Sequence, residues 1–468
     1  MRVLPLWASA LLLGGALYAG CSGSGGSGGA AAVAPSAAPD PGGAVAAPPG
    51  TASTAAVGAT LETDAYTAFR ENVSISSFAV PDVPGLRERA FVVEDDGTVR
   101  VLDLTGTAPV LDRALSLLPT PLAAGTATGA IRVQSESLAL VTTSGSGAEG
   151  VALFDPTLAQ SAGDVTWYDL SSETVTWPAG TLDSAGIDVG GQALPKNFTA
   201  DAAVVGGKLY VASSNFDTST FANRPGTVTA WAIDLVTRQR YGQTTLPTRD
   251  FNPTGLTVVD TPQGSVLLVT NTGVYGGNAA SIDVIDPDRA VLVGTLRFPS
   301  TQPTNPTGRV VVSPDGRRGY VGSQSAAEVY VLDLEGIGQA LANQSPQDLS
   351  ARFLGGYVLP SQATTNFVSD LALSHTGNYL YAVSFNESAL YVIDLLSEGI
   401  AAEVRGFART GTPANFEGLL NSIEVRPGVP GRDYAGASIL GVTINLAAAD
   451  RTLANVSVAL DRVSVDRH

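Results

Sequence analysis

One short phrase with chemical potential occurs five times in the 468-residue sequence: an asparagine, then Pro or Phe, then any residue, then a small residue. Its asparagines are Asn197, Asn252, Asn305, Asn366 and Asn415. Asp201, Asp250, Asp370, Glu417 or Glu424 could join these asparagines at the same site. Amide and carboxylate oxygens together are ligands for a hard cation such as Ca²⁺, and they also suit a sugar or a peptide. Asparagine equally bonds nearby backbone to form a turn, and repetition favours that structural use.

Two charged residues interrupt the pattern that follows these asparagines. Arg309 and Asp370 are predicted to take equivalent positions one residue into the first strand of their units, where other units have Leu256, Ala202 and Ala130. A buried charge needs a partner. We therefore expect an ion pair between Arg309 and Asp370. Contact between Arg309 and the carboxylate of a substrate is the alternative.

Histidine and cysteine chemistry is nearly excluded by composition. The chain has two histidines, His375 in a predicted turn and His468 at the last position, and a single cysteine, Cys21. A Ser-His-Asp or Cys-His catalytic site requires a positioned imidazole, and zinc or copper sites draw on the same side chains. No catalytic residue is assigned.

The elements that would position these residues are short strands in a repeat of roughly 50–70 residues. Each unit contains a pair of apolar strands joined by a polar turn, and the later strand of the pair, the third strand of the unit, ends in an aspartate. The clearest unit reads Arg309-Val-Val-Val-Ser-Pro-Asp-Gly316, Gly319-Tyr-Val-Gly322 and Val329-Tyr-Val-Leu-Asp333. In Pro314-Asp-Gly316, Pro presets one φ, Asp bonds the backbone and Gly accepts a positive φ, so a tight turn is predicted.

These phrases resemble the YVTN-type β-propeller repeat, which is also seen in propeller lactonases and is related to WD40-like propellers. The best matches are Ser313–Val321 with Val329–Asp333, and Tyr379–Val383 with Leu390–Asp394. The resemblance implies an all-β propeller in which the first strand of each blade lines a central channel. It implies little about function, because propellers support many activities. Under this fold, the five asparagines would ring one mouth of the channel.

Strand spacing predicts about seven four-stranded blades. We place them near 72–117, 129–171, 200–247, 255–300, 308–360, 369–409 and 418–466. The last unit has only three strands, so we expect a segment around Thr60–Ala68 to supply the fourth and close the ring.

A recurring aspartate stands at the end of the third strand of six units. These residues are Asp103, Asp155, Asp234, Asp286, Asp333 and Asp394. Turn initiation through bonds to nearby backbone N–H groups is favoured over a ring of metal ligands.

The N-terminus predicts export. Met1-Arg2 and the apolar run to Leu13 are typical of a signal peptide. The following Leu17-Tyr-Ala-Gly-Cys21 resembles the cleavage box of bacterial lipoproteins, although Tyr18 replaces the usual leucine. The resemblance implies lipidation of Cys21, and Ser22 implies the outer membrane. An ordinary signal peptide with an uninvolved cysteine is the alternative. We thus predict a signal peptide over 1–20, a disordered Gly/Ser/Ala/Pro-rich tether over 21–60 and a propeller over 61–468.

Charge and loop length limit the partners. Lys+Arg total 26 against 43 Asp+Glu, a net charge of −17, and nucleic-acid binding needs a basic surface. The stretch from Asp164 to Asn197 is longer than a blade connection requires and contains Trp167, Tyr168 and Trp177. These aromatics either anchor a partner or pack against the outer strands, and packing is favoured.

The sequence therefore predicts a lipid-anchored, exported propeller of the cell envelope. We expect a non-enzymatic scaffold that binds a small ligand or envelope proteins, with no cofactor beyond a possible Ca²⁺ site. The alternative is a metal-dependent, lactonase-like hydrolase with its site at the mouth of the channel, where a metal would polarise a carbonyl or activate water.

Overall fold

The structure is a computed structural model of the whole chain, and it describes sixteen segments. These are residues 57–66, 75–94, 96–105, 110–118, 128–144, 149–274, 280–299, 304–343, 345–361, 367–374, 377–385, 387, 389–405, 419–425, 437–445 and 457–467. Cys21, Asn366, Asn415, Glu417, His375 and His468, and with them the predicted signal peptide and most of the tether, lie outside the described residues.

The strands of the first half are short and follow one another closely along the chain. They are β1 (Val57–Tyr66), β2 (Ile75–Ala79), β3 (Arg89–Glu94), β4 (Thr98–Asp103), β5 (Val110–Ser116), β6 (Thr128–Ser135), β7 (Leu138–Thr143), β8 (Gly150–Phe154), β9 (Thr166–Asp169), β10 (Thr174–Thr176), β11 (Ala193–Pro195), β12 (Thr199–Val205), β13 (Lys208–Ser213), β14 (Phe216–Asp217), β15 (Ala222–Asn223), β16 (Pro225–Asp234) and β17 (Gln239–Phe251).

The second half continues in the same manner. Its strands are β18 (Pro253–Thr261), β19 (Gly264–Asn271), β20 (Ser281–Asp286), β21 (Val291–Arg297), β22 (Pro306–Val312), β23 (Arg318–Ser323), β24 (Glu328–Asp333), β25 (Gln347–Asp348), β26 (Phe353–Val358), β27 (Val368–Leu373), β28 (Tyr379–Ser384), β29 (Ala389–Asp394), β30 (Gly399–Val404), β31 (Leu419–Val425), β32 (Ala437–Asn445) and β33 (Ser457–Arg467).

Among the described residues, helices are few and short. One α-helix, α1, spans Leu334–Gly338. The 3₁₀ turns are Pro84–Leu86, Ala162–Asp164, Gln339–Ala342 and Ser350–Arg352. Within the described part of the chain, no helix has both the length and the apolar character needed to cross a bilayer.

The sheets form a β-propeller, as the sequence predicted. Six sheets are four-stranded blades: β2–β5, β6–β9, β12-β13-β16-β17, β22-β23-β24-β26, β27–β30, and β31–β33 with β1. A further sheet, β18–β21, carries a fifth strand because β25 pairs in parallel with β21. The prediction of about seven four-stranded blades is therefore corrected to six four-stranded blades and one five-stranded sheet. The loops β10–β11 and β14–β15 form separate two-stranded ribbons.

The ring is closed by the N-terminal strand. β1 pairs antiparallel with β33, from Val57 opposite Arg467 to Tyr66 opposite Leu460. This confirms the prediction that an N-terminal segment completes the last blade, although the strand begins at Val57, before the predicted domain boundary at Leu61. Joining both ends of the chain in one sheet covers the outer edge of β33, which would otherwise be free to pair with another chain.

The hydrophobic core lies between neighbouring sheets rather than within one sheet. One cluster joins Phe91 and Val101 of the first blade to Val141 and Phe154 of the next. Another joins Val284 of the five-stranded sheet to Tyr330 of the following blade. Buried strands of this kind read as continuous apolar runs because both faces are covered, which explains segments such as Val329-Tyr-Val-Leu332.

The strand-end aspartates make turns, as predicted. Each side chain accepts backbone N–H groups from residues two or three positions further along. The acceptors and donors are Asp103 with Thr105, Asp155 with Thr157 and Leu158, Asp234 with Val236 and Thr237, Asp286 with Asp288 and Arg289, Asp333 with Gly336, and Asp394 with Leu396 and Ser397.

Candidate binding face and central channel

The innermost strands surround the central channel in sequence order. β2, β6, β12, β18, β22, β27 and β31 each contact the next, and β31 contacts β2. All of them begin at the same face of the propeller. We call it the Asn face, because Asn197, Asn252 and Asn305 precede β12, β18 and β22 there. The connections between second and third strands, and from each blade to the next, lie at this same face.

The described asparagines of this face make hydrogen bonds to backbone groups of their own and the preceding blade. The carbonyl groups of Asn197, Asn252 and Asn305 each accept an N–H from the residue that follows, or lies just beyond, the second strand of the same blade, at 2.9, 2.9 and 2.7 Å. The Asn305 Nδ2 donates to the carbonyl oxygens of Thr272 and Val274 in the preceding blade. These bonds are structural, but the Asn305 side chain links two blades instead of forming the local turn that the sequence favoured.

The amide oxygens of this face are less well satisfied. The Nδ2 of Asn197 donates to the Phe216 carbonyl oxygen at 2.8 Å. Within the described part of the chain, the Oδ1 atoms of Asn197 and Asn305 are buried without a hydrogen-bond partner. A buried acceptor without a partner costs free energy, so the placement of these two amide oxygens lowers the stability of the fold.

Charged side chains cross the channel below this face. Asp201 of β12 is almost fully buried and accepts from the Nε and Nη2 of Arg309 in β22 at 2.9 and 2.8 Å. Arg132 of β6 donates its Nη2 to Oδ2 of the same carboxylate at 2.9 Å, the oxygen that also accepts from Arg309 Nε. Arg309 also donates to the carbonyl oxygen of Ile131 at 3.0 Å. Three innermost strands are thereby tied across the channel.

The prediction that Arg309 pairs with Asp370 is wrong, because Arg309 pairs with Asp201. Both Asp201 and Asp370 follow a bulge in their innermost strand, so Asp201, and not Ala202, is the equivalent of Asp370. Among the described contacts, Arg309 in β22 forms no ion pair with Asp370 in the blade that follows. It extends in the opposite direction, past β18, and bonds Asp201 in β12. Arg132 was not singled out in the sequence; its place in the first strand of a blade was the available signal.

The two equivalent aspartates bridge neighbouring blades in the same manner. Asp201 accepts the N–H of Leu256, in the next innermost strand, at 2.9 Å. Asp370 accepts the N–H of Ile423, again in the next innermost strand, at 2.9 Å. Innermost strands of different blades share no sheet hydrogen bonds, so these side chains supply the polar links that the sheets lack.

The charged side chains of the channel differ in their pKa shifts: Asp201 and Arg132 stay charged at neutral pH, whereas the pKa values of Asp370 and Glu424 are raised. Burial alone would raise the pKa of Asp201, but the Arg309 and Arg132 guanidinium groups hold it well below its usual range. Burial lowers the pKa of Arg132 to about 10, so it stays charged at neutral pH. Burial raises the pKa of Asp370 to about 6, and burial together with the Asp370 charge raises the pKa of Glu424 to about 8. We call Arg132, Asp201, Arg309, Asp370 and Glu424 the channel cluster.

The long connection over the Asn face packs its aromatic residues inside. Trp177 is 2% exposed and contacts Val175 and Val189. Tyr168 is buried, and its hydroxyl donates to the carbonyl oxygen of Arg238. Trp167 packs against the core between the first two complete blades. The packing interpretation of these aromatics is therefore confirmed.

Other side chains of this face stand in water. Leu182, Ile187 and Phe221 are 51%, 53% and 68% exposed. Their loops are bonded to each other, since Ser184 N–H donates to the Asn223 carbonyl oxygen and Asn223 N–H donates to the Ser184 Oγ, both at 2.8 Å. We call these three side chains the apolar patch. Sequence reasoning selected this region by its length but did not single out these three side chains.

The arrangement defines the class of protein as an all-β propeller with a charged channel and one elaborated face. Comparison with models of known protein families and with curated proteins finds no match. The likeness to the YVTN-type repeat is thus a resemblance of motifs. Among the described residues, no group of three or more His, Cys, Asp or Glu side chains is placed to hold a metal ion.

Proposed function

We propose that this chain is an exported, lipid-anchored propeller of the cell envelope that works as a binding scaffold. The leader sequence, Cys21 and the Gly/Ser/Ala/Pro-rich segment after it support the anchor and tether. The Asn face is the surface that meets the partner. Long loops held on a rigid framework are where propellers and other β folds place their binding residues.

The apolar patch is the observation that carries this proposal. Leu182, Ile187 and Phe221 stay exposed on two loops that are bonded to one another, while the tryptophan beside them is buried. The chain thus has the means to bury large apolar side chains here and leaves these three in water. Where such side chains form one exposed surface, they mark an interaction site.

The channel cluster supports a structural use of the charged residues. Asp201 is saturated by two guanidinium groups and a backbone N–H, which leaves it unsuited to act as a base or a metal ligand. A divalent cation beside Arg132 and Arg309 would also be repelled. These contacts favour a scaffold over a catalyst.

Site-specific crosslinking tests whether the Asn face is the binding surface. A photoactivatable amino acid is placed at position 221 in the full chain, in cells that export it, and at position 236 as the control. Val236 is 93% exposed and lies beyond the far end of β16. We expect a discrete crosslinked product from position 221 and not from 236. Equal products from both positions, or none from 221, would refute the use of this face.

Fractionation tests the anchor separately. Cys21→Ser removes the only thiol. We expect the wild-type chain to incorporate labelled palmitate and to sediment with membranes, and the variant to do neither. Membrane association that survives the substitution would exclude anchoring through Cys21.

A metal-dependent hydrolase is the second candidate, favoured by one feature. Asp370 and Glu424 are close enough for the charge of one to raise the pKa of the other, and no arginine donates a hydrogen bond to either among the described contacts. Calorimetry with Ca²⁺ tests it. Binding that Asp370→Asn abolishes and the exposed control Asp188→Asn preserves would favour this candidate and justify a screen of lactones. Absence of heat exchange would reject it.

A further inference from the structure

The apolar patch is built on an unusual backbone position. Phe221 has φ 56°, in the left-handed region that favours glycine. It stands four residues after Asp217, whose carboxylate accepts the N–H groups of Ser219 and Thr220. The same spacing from a turn-forming aspartate places Arg238, Ala290 and Glu398 at φ 53°, 52° and 55°. The turn therefore explains the positive φ at this position, but it does not explain why the residue is a phenylalanine.

A row of aromatic rings supports this side chain from beneath. Phe198, which is buried beside Asn197, meets Phe216 edge to face with ring centroids 5.6 Å apart. Phe216 meets Phe221 in the same way at 6.4 Å. The Phe221 ring is therefore held in a defined place rather than sweeping freely through solvent, which reduces the ordering cost of binding.

The charges around the patch are negative. Residues 182–188 and 216–224 contain Asp183, Asp188, Asp217 and Arg224, a net charge of −2. Asp217 is paired with Arg224 at 2.7 Å and Asp183 is buried, so Asp188 is the exposed carboxylate of these two loops. Hydrogen bonds from Ser219, followed by the ion pair with Arg224, hold the pKa of Asp217 well below its usual range, so it is ionised at neutral pH. The whole chain carries −17.

This charge selects among the occupants that an apolar surface can accept. A second copy of the chain would bring a second pair of negatively charged loops against the first, and an anionic lipid surface would be repelled in the same manner. A partner with lysine or arginine beside its apolar side chains gains from both the burial and the charge.

We propose that the apolar patch binds a segment of a partner protein that presents apolar side chains together with basic residues. This inference rests on the proposed function, since it names the partner class of the same face. The apolar side chains of the segment pack on Leu182, Ile187 and Phe221. Its basic residues lie beside Asp188 and the other carboxylates of the two loops.

Two synthetic peptides test the inference on the full chain. One is a short amphipathic peptide of leucine and lysine, and the other has glutamate in place of each lysine. Fluorescence anisotropy is measured with the wild-type chain, with Phe221→Gly and with Val236→Gly. We expect the lysine peptide to bind and to weaken about tenfold or more in Phe221→Gly, as expected for the loss of one buried aromatic side chain. Val236→Gly should match the wild type, and added salt should weaken binding.

The remaining outcomes overturn the inference in distinguishable ways. Equal binding of the glutamate peptide, or no effect of Phe221→Gly, refutes the stated partner chemistry. Concentration-dependent dimerisation that Phe221→Gly abolishes assigns the patch to a second copy. Binding to phosphatidylglycerol vesicles that the same variant abolishes assigns it to a membrane. A specific crosslink from position 221 to an acidic segment would refute this inference and leave the proposed function standing, whereas the absence of any crosslink refutes both.

Discussion

In the central channel, charged side chains are enclosed and bonded to one another, whereas on the loops of the Asn face large apolar side chains stand in water. Asp201 is 1% exposed and holds two arginines. Phe221, at the same end of the propeller, is 68% exposed. Each region reverses the usual placement of its residue type.

The two reversals have different physical consequences. In the channel, the Asp201 charge is compensated by Arg132 and Arg309 on other blades, so these three side chains link strands that share no sheet hydrogen bonds. On the Asn face, exposed apolar area contributes nothing to the isolated fold and gains free energy only when something covers it. Polarity inside the channel therefore indicates a role in folding, and apolarity on the loops indicates a role in binding.

The largest effect is expected from breaking the channel cluster. Asp201→Asn removes the counter-charge of Arg132 and Arg309, whose side chains are 16% and 33% exposed. Removing one partner of a buried ion pair costs about 3–5 kcal/mol, and because both guanidinium groups keep some contact with solvent, we expect the free energy of unfolding in urea to fall by about 3 kcal/mol. Glu335→Gln is the control, because Glu335 is 50% exposed in its ion pair with Arg317 and such pairs contribute about 1 kcal/mol or less. Equal losses in both variants would show that the channel cluster is no more than a surface pair.

A smaller effect is expected from Glu424, and it depends on pH. Burial and the Asp370 charge raise the pKa of Glu424 to about 8, above its value in the unfolded chain. The folded protein therefore holds the proton over a pH range in which the unfolded chain has lost it, and stability falls as pH rises through that range. Glu424→Gln should remove this slope and raise the free energy of unfolding above pH 8 on the order of 1 kcal/mol, because solvent in the channel screens part of the shift. An unchanged slope, measured by urea unfolding across pH, would contradict the prediction.

The comparison of channel and loops also shows which features could be predicted from the sequence. Strand spacing and the aspartates at strand ends predicted the propeller and its turns, because both are local and repeat in each blade. The closing strand followed from counting strands in the last unit. Those features depend on neighbours in sequence or in the same sheet.

The partner of Arg309 could not be found in that way. Periodicity shows which positions face the channel, but a long arginine side chain can cross it to any blade, and Asp201 lies 108 positions away. The three exposed side chains of the Asn face were missed for a related reason. Sequence alone does not show which of Trp177, Leu182 and Ile187 is covered, because that depends on how the two loops fold against one another.

The smallest effect on stability, and the sharpest division between the two regions, is expected from Phe221→Gly. Glycine relieves the left-handed backbone by about 1–2 kcal/mol, while its chain entropy and the lost ring contact with Phe216 each cost about 1 kcal/mol. These contributions nearly cancel, so thermal unfolding should stay within about 1 kcal/mol of the wild type. Phe198→Gly is the matched control, because Phe198 has the same φ of 56° but a buried ring, and we expect it to lose about 3 kcal/mol or more. If Phe221→Gly were as destabilising as its control, Phe221 would be part of the core, and the exposed ring would have no claim to a partner.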